Sequence, residues 1–200
     1  MDAFEVVAAK IFDVRGYWTR IGVKVNLTKE QKKALGNPSM PRPEIDVVAF
    51  KPSENKLLIV ECKSYLDSYG VRTTDFGNAG SKGQKRFKIF NNSALRKMVV
   101  KVLLAQLREG QMLLDAEPEI QFVLVAGKIY GDHEAELNKL FKRRGWWLVP
   151  PSEIAESIRE FAKRGYENEV VTIVTKILER NAKSNSTAEG DQPSGFFPPN

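Results

Sequence analysis

Apolar residues follow helical spacing at the start of the chain and strand spacing after it. They recur every three or four positions from Phe4 to Ile11, which predicts an amphipathic helix that ends before Gly16. Residues 17–25 alternate between apolar and polar side chains, as a half-buried strand does. Prolines and glycines interrupt residues 26–43, which we interpret as an excursion with one or two helical turns.

A β-hairpin is predicted in the next part of the chain. The runs 45–50 and 57–64 are rich in β-forming residues, and the polar loop 51–56 between them suits a tight connection. Residues 65–92 are polar, basic and contain glycine, so we expect a long loop or a mobile flap there. A helix with one apolar stripe is predicted over residues 93–114.

The remaining chain alternates strands and helices. The apolar run 120–126 is typical of a strand that is covered on both faces. Further predicted elements are a helix over 132–144, a strand at 146–149, a helix over 152–164 capped by Ser152, and a helix over 168–181. This order predicts an α/β fold in which helices flank a mixed sheet. We expect one domain over residues 1–182 and a disordered tail over 183–200, which is rich in Ser, Gly, Pro and Asn.

Composition and charge narrow the class of protein. Of the 200 residues, 42% are hydrophobic and 28% are charged, which is typical of a soluble globular chain. The single cysteine, the acidic N-terminus and the lack of a long apolar run lead us to expect a cytoplasmic protein without a membrane segment. The net charge of +6 favours a polyanionic partner, although a solvated basic surface is an equal explanation.

Charged residues continue the apolar run of the predicted hairpin. If the loop closes symmetrically, Asp46 faces Glu61, and Lys63 follows on the same face about 6.6 Å along the strand. Two carboxylates at one point form an oxygen site for Mg²⁺ or Mn²⁺, beside which Lys63 would orient water and offset negative charge. Glu44, opposite Lys63, is either a third ligand or a partner for its ammonium. The alternative is a half-exposed hairpin end with a Glu–Lys surface pair, but facing carboxylates repel each other without a cation.

The segments Pro43-Glu44-Ile45-Asp46 and Glu61-Cys62-Lys63 resemble the motif of the PD-(D/E)XK nuclease superfamily, which includes restriction endonucleases, Holliday-junction resolvases and RecB-like or Mrr-like nucleases. The order of the predicted helices and strands is also similar to that of this superfamily. The resemblance implies a restriction endonuclease-like fold, an α-β-β-β-α-β core with an extra C-terminal strand and helices. It also implies a Mg²⁺-dependent deoxyribonuclease in which Asp46 and Glu61 bind metal, the Cys62 backbone completes the metal shell, and Lys63 is catalytic. The strict Pro-Asp pair is absent, which leaves the part of Glu44 open.

The resemblance also implies roles outside the hairpin. Many members place an acid of the opening helix near the metal, and Glu5 is the candidate here, although a Glu favoured by the helix dipole is an equal alternative. Some members use a glutamine on the helix that follows, so Gln106 is either auxiliary or simply a polar helix residue. Many relatives cut both strands as dimers, which leaves a homodimer open.

Basic residues around the predicted flap are candidates for DNA contacts. Residues 82–88 interleave glycine, one aromatic and four cations, as phosphate contacts require, although a solvated loop is an alternative. The predicted nucleic-acid-binding residues are Lys82, Lys85, Arg86, Lys88, Arg96 and Lys97. We therefore expect metal-dependent hydrolysis of DNA phosphodiester bonds, of the restriction, resolvase or repair type. The alternatives are a non-cleaving nucleic-acid-binding or assembly module, and a protein-binding chain whose Glu61 and Lys63 form a structural ion pair.

Overall fold

The computed structural model describes residues 2–77, 82–113, 116–165 and 167–188. The chain divides into two compact units, one that ends at Pro151 and one that begins at Ser152. The first unit contains the sheet and the hairpin that carries the predicted site, and the second contains the last two helices. Within the described ranges, no helix is long and apolar enough to cross a membrane.

A five-stranded mixed sheet forms the centre of the first unit, and its strands lie in chain order. The strands are β1 (Trp18–Lys24), β2 (Glu44–Lys51), β3 (Lys56–Lys63), β4 (Glu119–Ala126) and β5 (Trp147–Val149). The first three strands pair antiparallel, whereas β4 and β5 extend the sheet in parallel to β3. The prediction of a mixed sheet in an α/β fold is therefore confirmed.

Helices precede, interrupt and follow these strands. The α-helices in the described part of the chain are α1 (Ala3–Val14), α2 (Lys29–Ala34), α3 (Lys82–Arg86), α4 (Lys88–Asn91), α5 (Ser93–Glu109), α6 (Glu134–Arg143), α7 (Pro151–Lys163) and α8 (Val170–Ala188). Short 3₁₀ turns lie at Pro52–Glu54, between β2 and β3, and at Thr73–Asp75. The predicted helices at the start of the chain and over residues 132–144 are therefore present, as α1 and α6.

The two faces of the sheet carry separate parts of the core. Leu57 and Ile59 of β3 belong to one large buried cluster together with α5. Leu58 and Val60 are buried outside that cluster, as expected because alternate side chains point to opposite faces of a strand. Helix α1, whose residues Ala8, Ile11 and Phe12 are buried, contacts β1, β2 and β3. Helices therefore flank the sheet.

The prediction of a polar loop over residues 65–92 is wrong in part. Phe76, Phe87 and Phe90 are buried, and the ring of Phe76 contacts that of Phe87 in a tilted arrangement and that of Phe90 edge to face, at centroid distances of 4.8 and 5.8 Å. Phe141 and Trp146, which follow much later in the chain, complete the same aromatic cluster. The segment folds as α3 and α4 because these aromatic side chains anchor it, although polar residues outnumber them in the sequence.

Several boundaries differ from the predicted ones. Helix α5 ends at Glu109, and α8 begins at Val170 and runs on to Ala188. Ser152 lies inside α7 and does not cap it, because Pro151 occupies the first helical position, where its fixed φ is favourable and no N–H is needed. The predicted disordered tail therefore includes the end of α8, and its residues 189–200 lie outside the described residues.

Candidate active site

The β2–β3 hairpin brings the central residues of the predicted site together. Phe50 pairs with Leu57 and Val48 pairs with Ile59, as the symmetric loop predicted. The last pair of this ladder is Val47 with Val60, so Asp46 and Glu61 are the next residues in register. The two carboxylates lie where the apolar strands end, on side chains that are 19% and 17% exposed.

Three oxygen atoms converge on the ammonium of Lys63. Its Nζ lies 2.6 Å from Glu61 Oε1 and 3.8 Å from Asp46 Oδ2, and it donates a hydrogen bond of 3.1 Å to the carbonyl of Cys62. The lysine side chain is 22% exposed, so this cluster is only partly open to solvent. The hairpin therefore holds one cation between two carboxylates and a backbone carbonyl.

Cys62 contributes its backbone to the cluster while its thiol is buried. The Cys62 N–H donates a hydrogen bond of 2.7 Å to Asp46 Oδ2, which fixes the orientation of that carboxylate. Burial, reinforced by the charges of Asp46, Glu5 and Glu61, raises the pKa of the Cys62 thiol far above its ordinary value. The thiol therefore stays protonated, and the residue serves the site through its peptide groups.

The two carboxylates of the site share a single ammonium, that of Lys63. Burial and the neighbouring charge of Glu61 raise the pKa of Asp46 to about 6, against the opposing effects of the Cys62 N–H and Lys63. Burial lowers the pKa of Lys63, but the charge and hydrogen bond of Glu61, together with Asp46, raise it above the ordinary value overall. Lys63 is therefore a permanent cation at neutral pH, whereas Asp46 is reluctant to ionise.

The donor set suits a divalent cation that prefers oxygen ligands. Carboxylate and carbonyl oxygens are the ligands of Mg²⁺ and Mn²⁺, and here they already surround a positively charged group. Asp46, Glu61 and the Cys62 carbonyl are the residues that would hold such an ion. Among the described residues, no group of three or more His, Cys, Asp or Glu side chains is placed to hold a metal. The fit therefore depends on two side chains and one peptide carbonyl.

The other acidic candidates lie around this centre in different ways. Glu44 is exposed and lines the same cleft as Glu61, and its charge contributes to raising the pKa of Asp46. Glu5 lies close enough to Cys62 to raise the thiol pKa, while its own carboxylate accepts a hydrogen bond from the backbone of Asp2 at the start of α1. The structure thus brings Glu44 to the cleft and gives Glu5 a helix-capping contact.

Two of the predicted site residues, Gln106 and Arg96, make hydrogen bonds to the backbone. Gln106 of α5 accepts a hydrogen bond from Asn26 N and donates one to Lys24 O, which ties the helix to the end of β1. Arg96 donates to the carbonyls of Ile89 and Phe90 and stacks on Trp146. Neither side chain contacts Asp46 or Glu61. Helical spacing alone does not predict which distant strand or turn a helix side chain contacts.

Three of the predicted DNA-binding residues line a cleft together with Glu44 and Glu61. This cleft of about 290 Å³ includes Lys85, Arg86 and Lys88 in its lining, whereas Asp46 and Lys63 are not part of it. The side chain of Lys82 lies outside the described residues. Lys97 lines a different groove, together with Arg96. Phe87, the aromatic of the predicted flap, is fully buried and contacts Phe76, so it is not available to nucleic acid.

Two further residues lie near the site, and the sequence pattern did not predict them. Arg42 lines the cleft beside Glu44 and Glu61, and its position directly before the Pro-Glu-Ile-Asp segment was the signal for it. Tyr65 follows Lys63 by two positions, has a φ of 46° and lies close enough to raise the pKa of the lysine. A positive φ is unusual for an aromatic residue, and no local sequence pattern predicts it.

The chain has no match among models of known protein families, curated proteins or solved structures.

Proposed function

We propose that the chain is a metal-dependent nuclease that hydrolyses phosphodiester bonds in DNA, with a restriction endonuclease-like arrangement of its sheet. The observation that supports this function best is the convergence of Asp46, Glu61 and the Cys62 carbonyl on the Lys63 ammonium. A buried strand that ends in opposed carboxylates is costly unless a cation compensates them. The proposed cofactor is Mg²⁺ or Mn²⁺.

The side chains and peptide groups of the site would have separate roles in hydrolysis. When bound, a divalent cation neutralises phosphate charge and lowers the pKa of water, which makes a nucleophile available at neutral pH. Lys63 is positively charged at neutral pH, so it acts as a hydrogen-bond donor and a positive charge beside the phosphate and not as a base. The Cys62 N–H holds Asp46 in place. The partly buried site limits the water that competes for these contacts.

The basic side chains of the cleft support DNA as the substrate. Lys85, Arg86 and Lys88 line the same cleft as Glu61, and Arg42 adds a fourth cation. Phosphate contacts of this kind position a nucleic acid on a protein without reading its sequence. The net charge of +6 favours the approach of the same polyanion.

A single chain supplies Asp46, Glu61 and Lys63, so one strand of DNA could be cut without a second copy. Cutting both strands of a duplex needs two sites, which a homodimer would provide. A second candidate function is a DNA-binding module that does not cut. The short Lys63–Glu61 contact favours it, because an ammonium held this firmly competes with a metal ion for the same oxygens.

DNA cleavage assays separate these functions. Supercoiled, linear, single-stranded and branched DNA would be incubated with the protein in Mg²⁺, Mn²⁺ or EDTA, beside Asp46→Ala and Lys63→Ala. Lys56→Ala is a matched control, since Lys56 lies on the same strand, is 21% exposed and also pairs with a glutamate. We expect cleavage in metal only, reduced by about 100-fold or more in both site variants, as for the loss of one charge-stabilising group. Salt-dependent DNA binding without cleavage would favour the second candidate.

A further inference from the structure

Exposed aromatic side chains lie on the loops that follow β3 and β4. Tyr69 is 77% exposed and Tyr130 is 40% exposed, and Leu66, three residues before Tyr69, is 63% exposed. Together with Arg72 and Lys128 these residues form a surface that we call the tyrosine surface. Large apolar and aromatic groups that share one exposed patch indicate a binding site more often than isolated ones do.

A cation lies between the two tyrosines. The guanidinium carbon of Arg72 is 4.2 Å from the ring centroid of Tyr130 and 5.5 Å from that of Tyr69. The exposed Lys128 adds a second positive charge, and its ammonium donates to the carbonyl of Leu66. Asp67 is the acidic residue in the lining of a shallow hollow that residues 67–69 and 128–131 form. The surface therefore combines two exposed rings with an excess of positive charge.

Backbone contacts hold the two loops in fixed positions. Val71 N donates to Lys128 O at 3.0 Å, and Tyr130 N donates to Val71 O at 2.9 Å. Gly70 has a φ of +89°, and a Cβ there would lie 2.9 Å from backbone atoms of Ile129 and Tyr130. Only glycine permits this approach. The shallow hollow of about 540 Å³ that residues 67–69 and 128–131 line is therefore largely formed before a ligand binds.

The tyrosine surface adjoins the candidate active site. Gly127, which leads into the Lys128–Tyr130 loop, donates a hydrogen bond of 2.8 Å to the carbonyl of Lys63. The β3 loop that carries Leu66 and Tyr69 begins directly after Lys63. A nucleic-acid strand held at the carboxylates could therefore continue onto the tyrosine surface without leaving the same edge of the sheet.

We propose that the tyrosine surface binds the unpaired bases of single-stranded DNA, with Tyr69 and Tyr130 stacking on bases while Arg72 and Lys128 contact phosphates. Aromatic rings interleaved with cations are the features by which proteins hold single strands. A duplex keeps its bases stacked inside, so it cannot use exposed rings in this way. Where it names a substrate, the inference rests on the proposed function: the DNA that is cut would have a single-stranded end, flap or branch.

Binding measured without cleavage tests this inference. Fluorescence anisotropy in EDTA would compare a labelled oligothymidylate with a duplex of equal length, for the wild type, Tyr69→Ala, Tyr130→Ala and the double variant. Trp18→Ala is the matched control, because Trp18 is 74% exposed and lies on β1 at the opposite end of the sheet from Lys63. Thermal unfolding would establish that each variant is folded, and Tyr69→Phe, which keeps the ring, should bind like the wild type.

We expect each tyrosine substitution to weaken single-strand binding by about tenfold, in line with the loss of one stacked base, and to leave duplex binding within about twofold. Equal losses for both DNAs, wild-type affinity in the double variant, or no binding of the oligothymidylate by the wild type would overturn the inference. Selective loss of single-strand binding in a protein that cuts no DNA would sustain the inference and refute the proposed function. Metal-dependent cleavage by the wild type, together with single-strand binding that the tyrosine substitutions leave unchanged, would support the proposed function and overturn the inference.

Discussion

Replacing Asp46 by asparagine should stabilise the metal-free protein at neutral pH. Burial and the charge of Glu61 raise the pKa of Asp46 from 3.8 to about 6, so the folded chain holds this proton more tightly than the unfolded chain. The resulting stability is fully present below the unfolded pKa and is lost as the pH rises through about 6. The difference of about two pKa units corresponds to at most about 3 kcal/mol. Asparagine removes the charge, keeps the size and can still accept the Cys62 hydrogen bond.

Urea unfolding in EDTA at pH 4 and pH 7.5 measures this effect. At pH 7.5 we expect Asp46→Asn to unfold with a free energy about 2–3 kcal/mol higher than the wild type, and at pH 4 the two should nearly coincide. Asp132→Asn, in an exposed loop, is the control and should behave like the wild type. In Mg²⁺ at 100 times its Kd the wild type should gain about 2.7 kcal/mol and close the gap. A variant that is less stable than the wild type in EDTA at pH 7.5 would refute the reasoning.

Three other substitutions separate structural from functional roles. Cys62→Ala should retain metal-dependent cleavage and lose about 1 kcal/mol of stability in urea unfolding, because its peptide groups serve the site and its thiol only packs. Arg96→Ala should lower the free energy of unfolding by about 2 kcal/mol and leave DNA affinity nearly unchanged, since its guanidinium binds two backbone carbonyls. Lys85→Ala should do the opposite: unfolding should stay as in the wild type, while the salt dependence of DNA binding falls by about one unit in log–log slope. A stability loss in Lys85→Ala, or a large affinity loss in Arg96→Ala, would contradict these assignments.

The hairpin register could be predicted because symmetric closure of the loop 51–56 pairs Phe50 with Leu57 and Val48 with Ile59. A slip of one residue would have placed Asp46 opposite Val60, on the other face of the sheet from Glu61. The position of Asp46 opposite Glu61 followed from the same register. The contact of the Lys63 ammonium with the Cys62 carbonyl could not be predicted, since it depends on the side-chain conformation and on the twist of the strand.

The segment after the hairpin could not be predicted in the same way. Phe76, Phe87 and Phe90 are separated by polar residues and follow no single period, and their partners Phe141 and Trp146 come from distant parts of the chain. Long-range packing of this kind overrides a local preference for a loop. Lys85, Arg86 and Lys88 are exposed, as expected for this basic segment, but only the fold determines which basic residues line the cleft with Glu61.

The most direct test of the central claim is the binding of Mn²⁺ to the metal-free protein, measured by electron paramagnetic resonance with Mg²⁺ as competitor. The wild type should bind Mn²⁺ in a form that Mg²⁺ displaces, and Asp46→Asn and Glu61→Gln should each bind it far more weakly, while Asp132→Asn binds as the wild type does. If the wild type binds no Mn²⁺, or if both site variants bind it with wild-type affinity, the two carboxylates are not a metal site and the proposed nuclease chemistry fails.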